Sequence, residues 1–367
     1  MVVRVMAPDL AQPSGGIKVM YRFVEHLRAL GHDARVWHGT PGFSFESWSS
    51  TAPVETGLRL RFDPGDVLVM SEVGRWNALA MGSPIVILCQ GTDFVFNPSG
   101  FLTGEPGDYP GWPDVTAAIA TSQSIRAFLT SACTEGFPVH HVPLEIEDYF
   151  RPLEKRRQMA LMPRRRREDL LATVHLLRRA GHLADWDVVL IDGMSQAEVA
   201  RALGHAAIFL MGGEREGFGL PGAEAMAAGC YVAGFTGDGA KEYMLAEHSS
   251  PIPDSDCVEA ARRTGEMMRL FDDDRKAWNE RADAGRRFIR DTYTAARSRS
   301  GLEAAFAEIL APGSKSVIKR SVELNHYQAH APATDPLNRV RIAARHAARL
   351  AVERVTQSRA RPVPRDS

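Results

Sequence analysis

Apolar residues recur along the chain in two alternating patterns. Continuous runs such as "VVRVMAP", "DVLVMSEV" and "PIVILCQG" are typical of strands that are covered on both faces. Between such runs, segments such as "SGGIKVMYRFVEHLRALGH" place apolar residues three and four positions apart, which predicts amphipathic helices. Because strands alternate with helices, the sequence predicts parallel sheets with right-handed crossovers, and therefore an α/β fold.

The alternation is interrupted once, by an acidic and aromatic segment between two prolines. "HHVPLEIEDYFRP" contains Pro143 and Pro152 and predicts a linker, after which the pattern restarts at "QMALMP". We therefore expect two Rossmann-like, doubly wound parallel-sheet domains that face a cleft, with bounds 1–146 and 147–311. The last helices of the second domain could pack back on the first. Residues 312–367 are predicted to form a basic tail that is helical or partly disordered.

The composition is that of a globular protein without a nucleic-acid partner. Of 367 residues, 44% are hydrophobic and 24% charged, and the net charge is -1. No signal peptide is visible, and no apolar run reaches the roughly 18 residues that span a bilayer. We expect a cytoplasmic protein. The basic tail segment "NRVRIAARHAARLAVERV" predicts weak peripheral contact with the inner membrane face, and a solvated tail is the alternative.

The cysteines do not predict a metal site. Cys89, Cys133, Cys230 and Cys257 are scattered and share no CxxC spacing. We expect reduced, mostly buried thiols and no bound metal.

The segment "GEREGFGLPGAEAMAAG" carries the strongest chemical signal in the sequence. It follows the predicted strand "AAIFLMG", and ligands of open α/β sheets collect at the carboxyl ends of strands. Pro221 suits the first turn of a helix. The amides of Phe218, Gly219 and Leu220 are therefore predicted to lie at the positive end of that helix, which is a phosphate-binding arrangement.

Two glutamates flank this predicted phosphate site. Glu216 stands before the amides, and Glu224 stands one turn into the helix. Carboxylates accept hydrogen bonds from sugar hydroxyls, so a diphosphate with a sugar on each side would satisfy every element. The sequence therefore predicts a nucleotide-sugar ligand. The structural alternative is that Glu224 stabilises the helix dipole and Glu216 is a solvated loop residue.

The stretch around the two glutamates resembles the E-x7-E motif of retaining glycosyltransferases, in particular glycosyltransferase family 4. "SGGIKVMYRFVEHLRALGHDARVW" is similar to the family's N-terminal glycine loop and first helix, and the resemblance covers residues 1 to about 310. It implies the GT-B fold, retention of anomeric configuration, and no metal or further cofactor. It also implies that Glu216 contacts the donor sugar near the reacting carbon and that Glu224 holds the ribose. Gly15 and Gly16 would let the N-terminal domain close over the diphosphate.

A run of arginines follows the first strand of the second domain, in "LMPRRRRED". The resemblance implies that Arg164 stabilises the departing diphosphate, with Arg165 or Arg166 as a second cation, of which we take Arg165. The sequence departs from the family pattern, since Pro163 replaces a glycine and the usual lysine is missing. The "MPR" form is more similar to members that assemble rhamnose-containing polysaccharides, which implies a deoxythymidine-diphosphate donor. A solvated charge run is the structural alternative.

Two further candidate positions lie at predicted strand ends. Gln90 in "ILCQGTDFVF" stands where many family members carry a histidine beside the donor sugar. It either bonds sugar or acceptor hydroxyls or is a buried amide satisfied by backbone, and the sequence leaves both interpretations open. Gly193 in "IDGMSQAEVA" would frame the nucleotide base through backbone groups. Ser195 with Glu198 predicts a helix capping box instead of a ligand contact.

Together these features predict a metal-independent, hexosyl-type glycosyltransferase of polysaccharide biosynthesis. The donor is a nucleoside-diphosphate sugar and the acceptor a glycan, a lipid-linked glycan or a small molecule, with catalytic roles for Glu216, Arg164 and Gln90. Two alternatives are a nucleotide-sugar epimerase of the same fold and a non-catalytic nucleotide-sugar-binding partner. A dinucleotide-dependent oxidoreductase is not favoured, because "SGGIKV" lacks the GxGxxG spacing.

Overall fold

The structure, a computed structural model, describes residues 1–10, 14–45, 48–63, 65–73, 85–96, 109–110, 115–311 and 322–325. These residues form two parallel sheets with helices packed against them, and one small antiparallel pair of strands. The predicted α/β class with two doubly wound sheets is confirmed. The predicted domain bounds stay a prediction.

The first sheet has seven parallel strands. They are β1 (Val3–Met6), β2 (Ala34–His38), β3 (Val54–Thr56), β5 (Val67–Ser71), β6 (Ile85–Cys89), β7 (Val115–Ala120) and β8 (Val139–His141). Their order is β3-β2-β1-β5-β6-β7-β8. Every residue of β5 and β6 is buried, as continuous apolar runs predict. The order reverses direction between β1 and β5, and such a switch point is where α/β sheets bind ligands.

The second sheet has five parallel strands. They are β9 (Arg156–Leu161), β10 (Asp187–Leu190), β11 (Ala206–Gly213), β12 (Tyr231–Thr236) and β13 (Ser250–Ile252), in the order β10-β9-β11-β12-β13. Its switch point lies between β9 and β11. The loops that leave these two strands contain the arginine run and Glu216, so chain topology brings both predicted features to one edge.

Eight helices occur in the part of the chain that the structure describes. They are α1 (Gly15–Ala29), α2 (Gln123–Ala132), α3 (Arg167–Arg179), α4 (Gln196–His205), α5 (Leu220–Ala227), α6 (Cys257–Asp273), α7 (Arg275–Thr292) and α8 (Ala295–Ile309). In α1 the apolar stripe faces the first sheet, and Val24 and Leu27 are fully buried, each worth about 1.5–3 kcal/mol of transfer free energy. Gly31 ends the helix at φ +90°, as its sequence position predicts.

Helix α8, the last in the described part of the chain, packs on α1. Phe306 of α8 lies 6.2 Å from Phe23 of α1 between ring centroids, and both side chains belong to the core of the first sheet. Ser298 of α8 also donates a hydrogen bond to the carbonyl of Pro143, 2.6 Å away. The chain therefore returns to the N-terminal sheet after it has completed the C-terminal one.

Several short elements were not predicted. The edge strands β3, β8 and β13 are three residues long, and α8 was not anticipated. Two four-residue strands, β4 (Arg59–Phe62) and β14 (Val322–Asn325), pair antiparallel, although the sequence predicted irregular structure at the latter. The rest of the tail, with its predicted basic helix, lies outside the described residues. No described helix is long and apolar enough to cross a membrane.

Candidate active site

The loop that leaves β11 contains three backbone amides that no described residue accepts a hydrogen bond from. Gly219 precedes α5 at φ +83°, a left-handed conformation that favours glycine. Pro221 occupies the first turn of α5, as predicted. The amides of Phe218, Gly219 and Leu220 donate no hydrogen bond to a described residue. These three donors at a helix N-terminus are therefore available to an anion.

Contacts with neighbouring residues hold this loop in place. The amide of Gly239 donates to the carbonyl of Glu216 over 2.9 Å. The hydroxyl of Tyr243 donates to the carbonyl of Gly219. The buried ring of Phe218 packs on Tyr243 and on Tyr293, at 5.3 and 4.9 Å between centroids. Donors that are fixed in advance bind an anion at a smaller ordering cost.

The side chain of Glu216 lies in the same loop and is only partly satisfied by protein contacts. Its Oε2 atom is buried and has no hydrogen-bond partner among the described residues. Burial raises the pKa of its carboxyl, and the positive charges of Arg165 and Arg164 oppose that rise. Both arginines are exposed and form no ion pair within the described ranges. An unpaired acid and two unpaired cations thus converge at the switch point of the second sheet.

Arg166 has a different task from its neighbours. It adopts a left-handed φ of 45° at the start of α3. Its guanidinium donates to the carbonyl of Gly213 at 2.8 Å and pairs with Asp169 at 3.0 Å and Asp254 at 3.1 Å. All these contacts anchor the loop itself, whereas Arg165 forms no ion pair with a described residue.

Glu224 is buried, and it is paired with a lysine of α1, the helix that packs on the first sheet. Its Oε1 accepts a hydrogen bond from the ammonium of Lys18 in α1 at 2.9 Å. Burial raises the pKa of Glu224, the charge of Lys18 opposes the rise, and Glu147 adds to it. Sequence reasoning missed Lys18, although a lysine between apolar positions of an amphipathic helix was a usable signal.

The N-terminal sheet meets the β11 loop directly. A Cβ atom on Gly15 would lie 3.2 Å from the Leu220 side chain, and one on Gly217 would lie 1.9 Å from the carbonyl oxygen of Gln90. The Gln90 amide donates to the carbonyl of Gly16 at 3.1 Å. The backbone-satisfied interpretation of Gln90 therefore describes its side chain here, while the residue still stands at the junction of the two sheets.

A second contact across the junction involves Glu242. Glu242 lies in a short 3-10 helix, Gly239–Glu242. Its carboxylate accepts the amide of Gln123, the first residue of α2, at 2.7 Å and the hydroxyl of Tyr293 at 2.9 Å. An acid at a helix N-terminus interacts favourably with the helix dipole, so this contact stabilises the packing of the two sheets against each other.

Gly193 is not brought against the other predicted residues. It has φ +65°, and a Cβ atom there would meet open space. The predicted capping box beside it is confirmed, since Ser195 and Glu198 exchange both side-chain to backbone hydrogen bonds at the start of α4. The role of Gly193 at a nucleotide base stays a prediction.

Sequence reasoning also missed Glu72, the residue after β5. Its side chain is buried and accepts a hydrogen bond from Ser71 at 2.9 Å, and the backbone amides of Gln90 and Gly91 donate to it. Burial raises the pKa of Glu72 to about 7. An acidic residue just after a strand with an apolar run was the available signal. Glu72 thereby fixes the backbone that contacts Gly217.

The raised pKa of Glu72 predicts a pH-dependent stability. An unfolded glutamate loses its proton near 4.5 and the folded one near 7, so unfolding becomes easier as pH rises between these values. Relative to Glu72→Gln, wild type should lose up to about 3 kcal/mol of unfolding free energy between pH 5 and 8. Urea titrations at each pH measure the difference. Exposed Glu247→Gln should show no such trend, and a pH-independent difference for Glu72→Gln would contradict the assignment.

Comparison with known proteins identifies the architecture. A glycosyltransferase from Rickettsia africae ESF-5 superposes with a TM-score of 0.59 at 13% identity, over 85% of this chain and 99% of that one. Anabaena HepE, solved with UDP and glucose, gives 0.59 at 11% identity over 84% and 99%. Sucrose-phosphate synthase from Thermosynechococcus elongatus gives 0.58 at 12% over 84% and 98%. This chain has a GT-B-like glycosyltransferase fold.

Sequence comparison reaches less far. No protein-family model matches the chain. An α-1,6-glucosyltransferase of Actinobacillus pleuropneumoniae serotype 7 (strain AP76) is 38% identical over 104 residues, or 27% of this chain. The match covers 32% of that protein, so the chain spans about a third of the length of the curated relative that it matches. The activity therefore has to be argued from the site.

Proposed function

We propose that this protein is a glycosyltransferase that moves a sugar from a nucleoside-diphosphate sugar to an acceptor. The observation that carries the proposal is the convergence at one sheet edge of Glu216, Arg164, Arg165 and three free amides. The GT-B-like fold and the name of the partial relative, an α-1,6-glucosyltransferase, support it.

Each feature has a role in this reaction. The free amides of Phe218, Gly219 and Leu220 bind the diphosphate, and Gly15 and Gly16 let α1 approach it from the other side. As the bond to the sugar breaks, negative charge grows on the departing phosphate, and Arg164 and Arg165 neutralise it. Glu216 accepts hydrogen bonds from donor-sugar hydroxyls with its carboxylate.

The finer assignment follows the resemblance to glycosyltransferase family 4 and its E-x7-E spacing. We propose retention of anomeric configuration, with the departing phosphate taking the proton of the acceptor hydroxyl. We propose no requirement for a bound metal, since arginines and helix-end amides supply positive charge at the leaving group. Glu224 holds the ribose. Contact between the two sheets at Gly217 excludes water, which limits hydrolysis of the donor.

The donor and acceptor are proposed by class. HepE, which shares the fold, was solved with UDP and glucose, and the "MPR" form instead points to a deoxythymidine-diphosphate donor. The acceptor is a glycan, lipid-linked or small-molecule hydroxyl that enters from the N-terminal sheet. We propose action in the cytoplasm, with any membrane contact made by the tail. No feature of the described residues favours an epimerase or a non-catalytic partner.

Calorimetry with UDP, GDP, ADP and dTDP tests the proposal on the full chain. We expect one of the four to bind, and Glu224→Gln to weaken that binding roughly ten- to hundredfold, because a hydrogen bond to a charged acceptor is lost. The exposed control Glu247→Gln should bind as wild type does. Absence of binding heat with all four, or equal binding by Glu224→Gln, would overturn the assignment.

A further inference from the structure

Lys18 is a buried lysine whose ammonium joins three separate parts of the chain. Its Nζ lies 2.9 Å from Glu224 in α5 and 2.8 Å from Glu147, which follows β8 in the linker segment. Only 7% of its side chain is exposed. Burial works against its charge, but the two carboxylates outweigh burial and hold the pKa of Lys18 above its usual value. The lysine is therefore a fixed positive charge inside the molecule.

The linker side of this arrangement is rigid. Arg22, one turn along α1 from Lys18, contacts the second oxygen of Glu147 at 3.3 Å. Arg290 of α7 donates to the carbonyl of Ile146 at 3.0 Å and contacts Asp148 at 3.2 Å. Because Glu147 is held from both sides, the position of Lys18 is set independently of α5.

The buried charge of Glu224 in α5 needs the positive charge of Lys18. Ribose hydroxyls are neutral and a diphosphate is anionic, so a bound nucleotide brings nothing that compensates the buried charge of Glu224. Among the described residues, Lys18 is the cation that acts on it. Lys18 bonds Oε1 of Glu224, whereas Oε2 makes no hydrogen bond with a described residue and can accept a ribose hydroxyl.

We propose that Lys18 is a positioning residue for the nucleotide, which keeps Glu224 ionised and turned toward the ribose. The inference rests on the proposed function and deepens it. Since Lys18 belongs to α1 and Glu224 to α5, the ribose-binding carboxylate is complete only when the two sheets are in contact. Nucleotide affinity therefore depends on contact between the two sheets. The Lys18–Glu224 ion pair makes this link, and Lys18 itself does not contact the nucleotide.

Lys18→Met isolates this role through a pH profile. Without the lysine, burial and the charge of Glu147 raise the pKa of Glu224 unopposed, and Arg22 and Tyr149 are the other ionisable groups around the pair. Binding of the preferred nucleoside diphosphate, from UDP, GDP, ADP and dTDP, should weaken at least about tenfold at pH 6.5. The deficit should shrink as pH rises, because a raised pKa makes Glu224 ionise at higher pH. Nucleotide ionisation is the same for both proteins and cancels in the ratio.

Matched variants separate positioning from folding. Glu147→Gln removes a charge from the same cluster but keeps an acceptor oxygen beside Lys18 and leaves the Lys18–Glu224 pair, so it should bind within about threefold of wild type. Lys18→Arg keeps the charge and should restore most of the affinity. The double variant Lys18→Met/Glu224→Gln lacks the carboxyl group that Lys18→Met leaves without a partner, and it should bind no more weakly than Glu224→Gln alone.

The outcomes distinguish the two levels of the proposal. If wild type binds none of the four nucleotides, the proposed function falls and this inference with it. If wild type binds and Lys18→Met binds equally well at every pH, the inference alone is wrong. A further loss in the double variant beyond Glu224→Gln would also overturn it, because Lys18 would then act other than through Glu224. That last comparison decides the matter even if Lys18→Met does not fold.

Discussion

Glu216→Gln is expected to slow the release of nucleoside diphosphate from the sugar donor at least about a hundredfold, while leaving nucleotide affinity within a few-fold of wild type. The amide has the shape of the carboxylate but lacks its charge, so it loses stabilisation of the reacting sugar, and losses of this size follow removal of one preorganised polar group. The measurement is release of nucleoside diphosphate from the sugar donor that binds wild type, with or without acceptor. Nucleotide binding is measured in parallel by calorimetry.

The same variant should not be destabilised. Oε2 of Glu216 has no hydrogen-bond partner among the described residues, so replacing a buried, unpaired carboxylate removes an unfavourable charge and breaks no internal bond. We expect an unchanged or higher Tm, a pattern typical of residues that serve function at the expense of stability. Glu214→Gln in the same loop is the control and should keep its activity. A lower Tm with unchanged turnover would show that Glu216 is structural.

Gly217→Ala is expected to reduce activity about a hundredfold by separating the two sheets. The new Cβ atom would lie 1.9 Å from the carbonyl oxygen of Gln90 and 2.6 Å from the side chain of Ile125. Because the nearer atom is backbone, it cannot rotate away, and the loops must move apart. A displacement of about 1 Å at a reacting centre costs on the order of 10² in rate. Turnover with the preferred donor is the measurement.

The control for this substitution is Gly301→Ala in the middle of α8. There a Cβ atom meets its neighbours at 3.4 Å, and alanine favours the helix. We expect normal turnover for Gly301→Ala and a lower Tm for Gly217→Ala, because its clash with Ile125 reaches the core of the first sheet, so turnover is compared at a temperature where both variants are folded. Full activity of Gly217→Ala would mean that the contact with Gln90 plays no part in catalysis.

Local sequence signals were sufficient for most of the fold. Long apolar runs gave β5, β6 and β11, and apolar spacing gave helices such as α1. The Ser195–Glu198 capping box and the stop at Gly31 were predicted because each depends on residues a few positions apart. Three-residue edge strands such as β8 escaped prediction, since they are too short to show a period and are defined by pairing with a distant strand.

The candidate site was likewise predictable only where it depends on residues close together in the sequence. The free amides of the β11 loop follow from a glycine and a proline in one short segment. The arginine run did not reveal which member is anchored, because Arg166 is distinguished from Arg165 by a carbonyl 47 residues away. The partners of Glu224 were equally invisible, since Lys18 lies 206 residues earlier in the chain.

By itself, the sequence determined the two α/β sheets and the loop that contains Glu216, Glu224 and the free amides, because both depend on short-range periodicity and on the conformational needs of glycine and proline. Only the tertiary structure decided which charges meet. It paired Glu224 with Lys18, set Glu242 on the amide of Gln123, and pressed Gly217 against Gln90. Such contacts depend on how two separately folded sheets lie against each other, and no spacing along the chain encodes that distance.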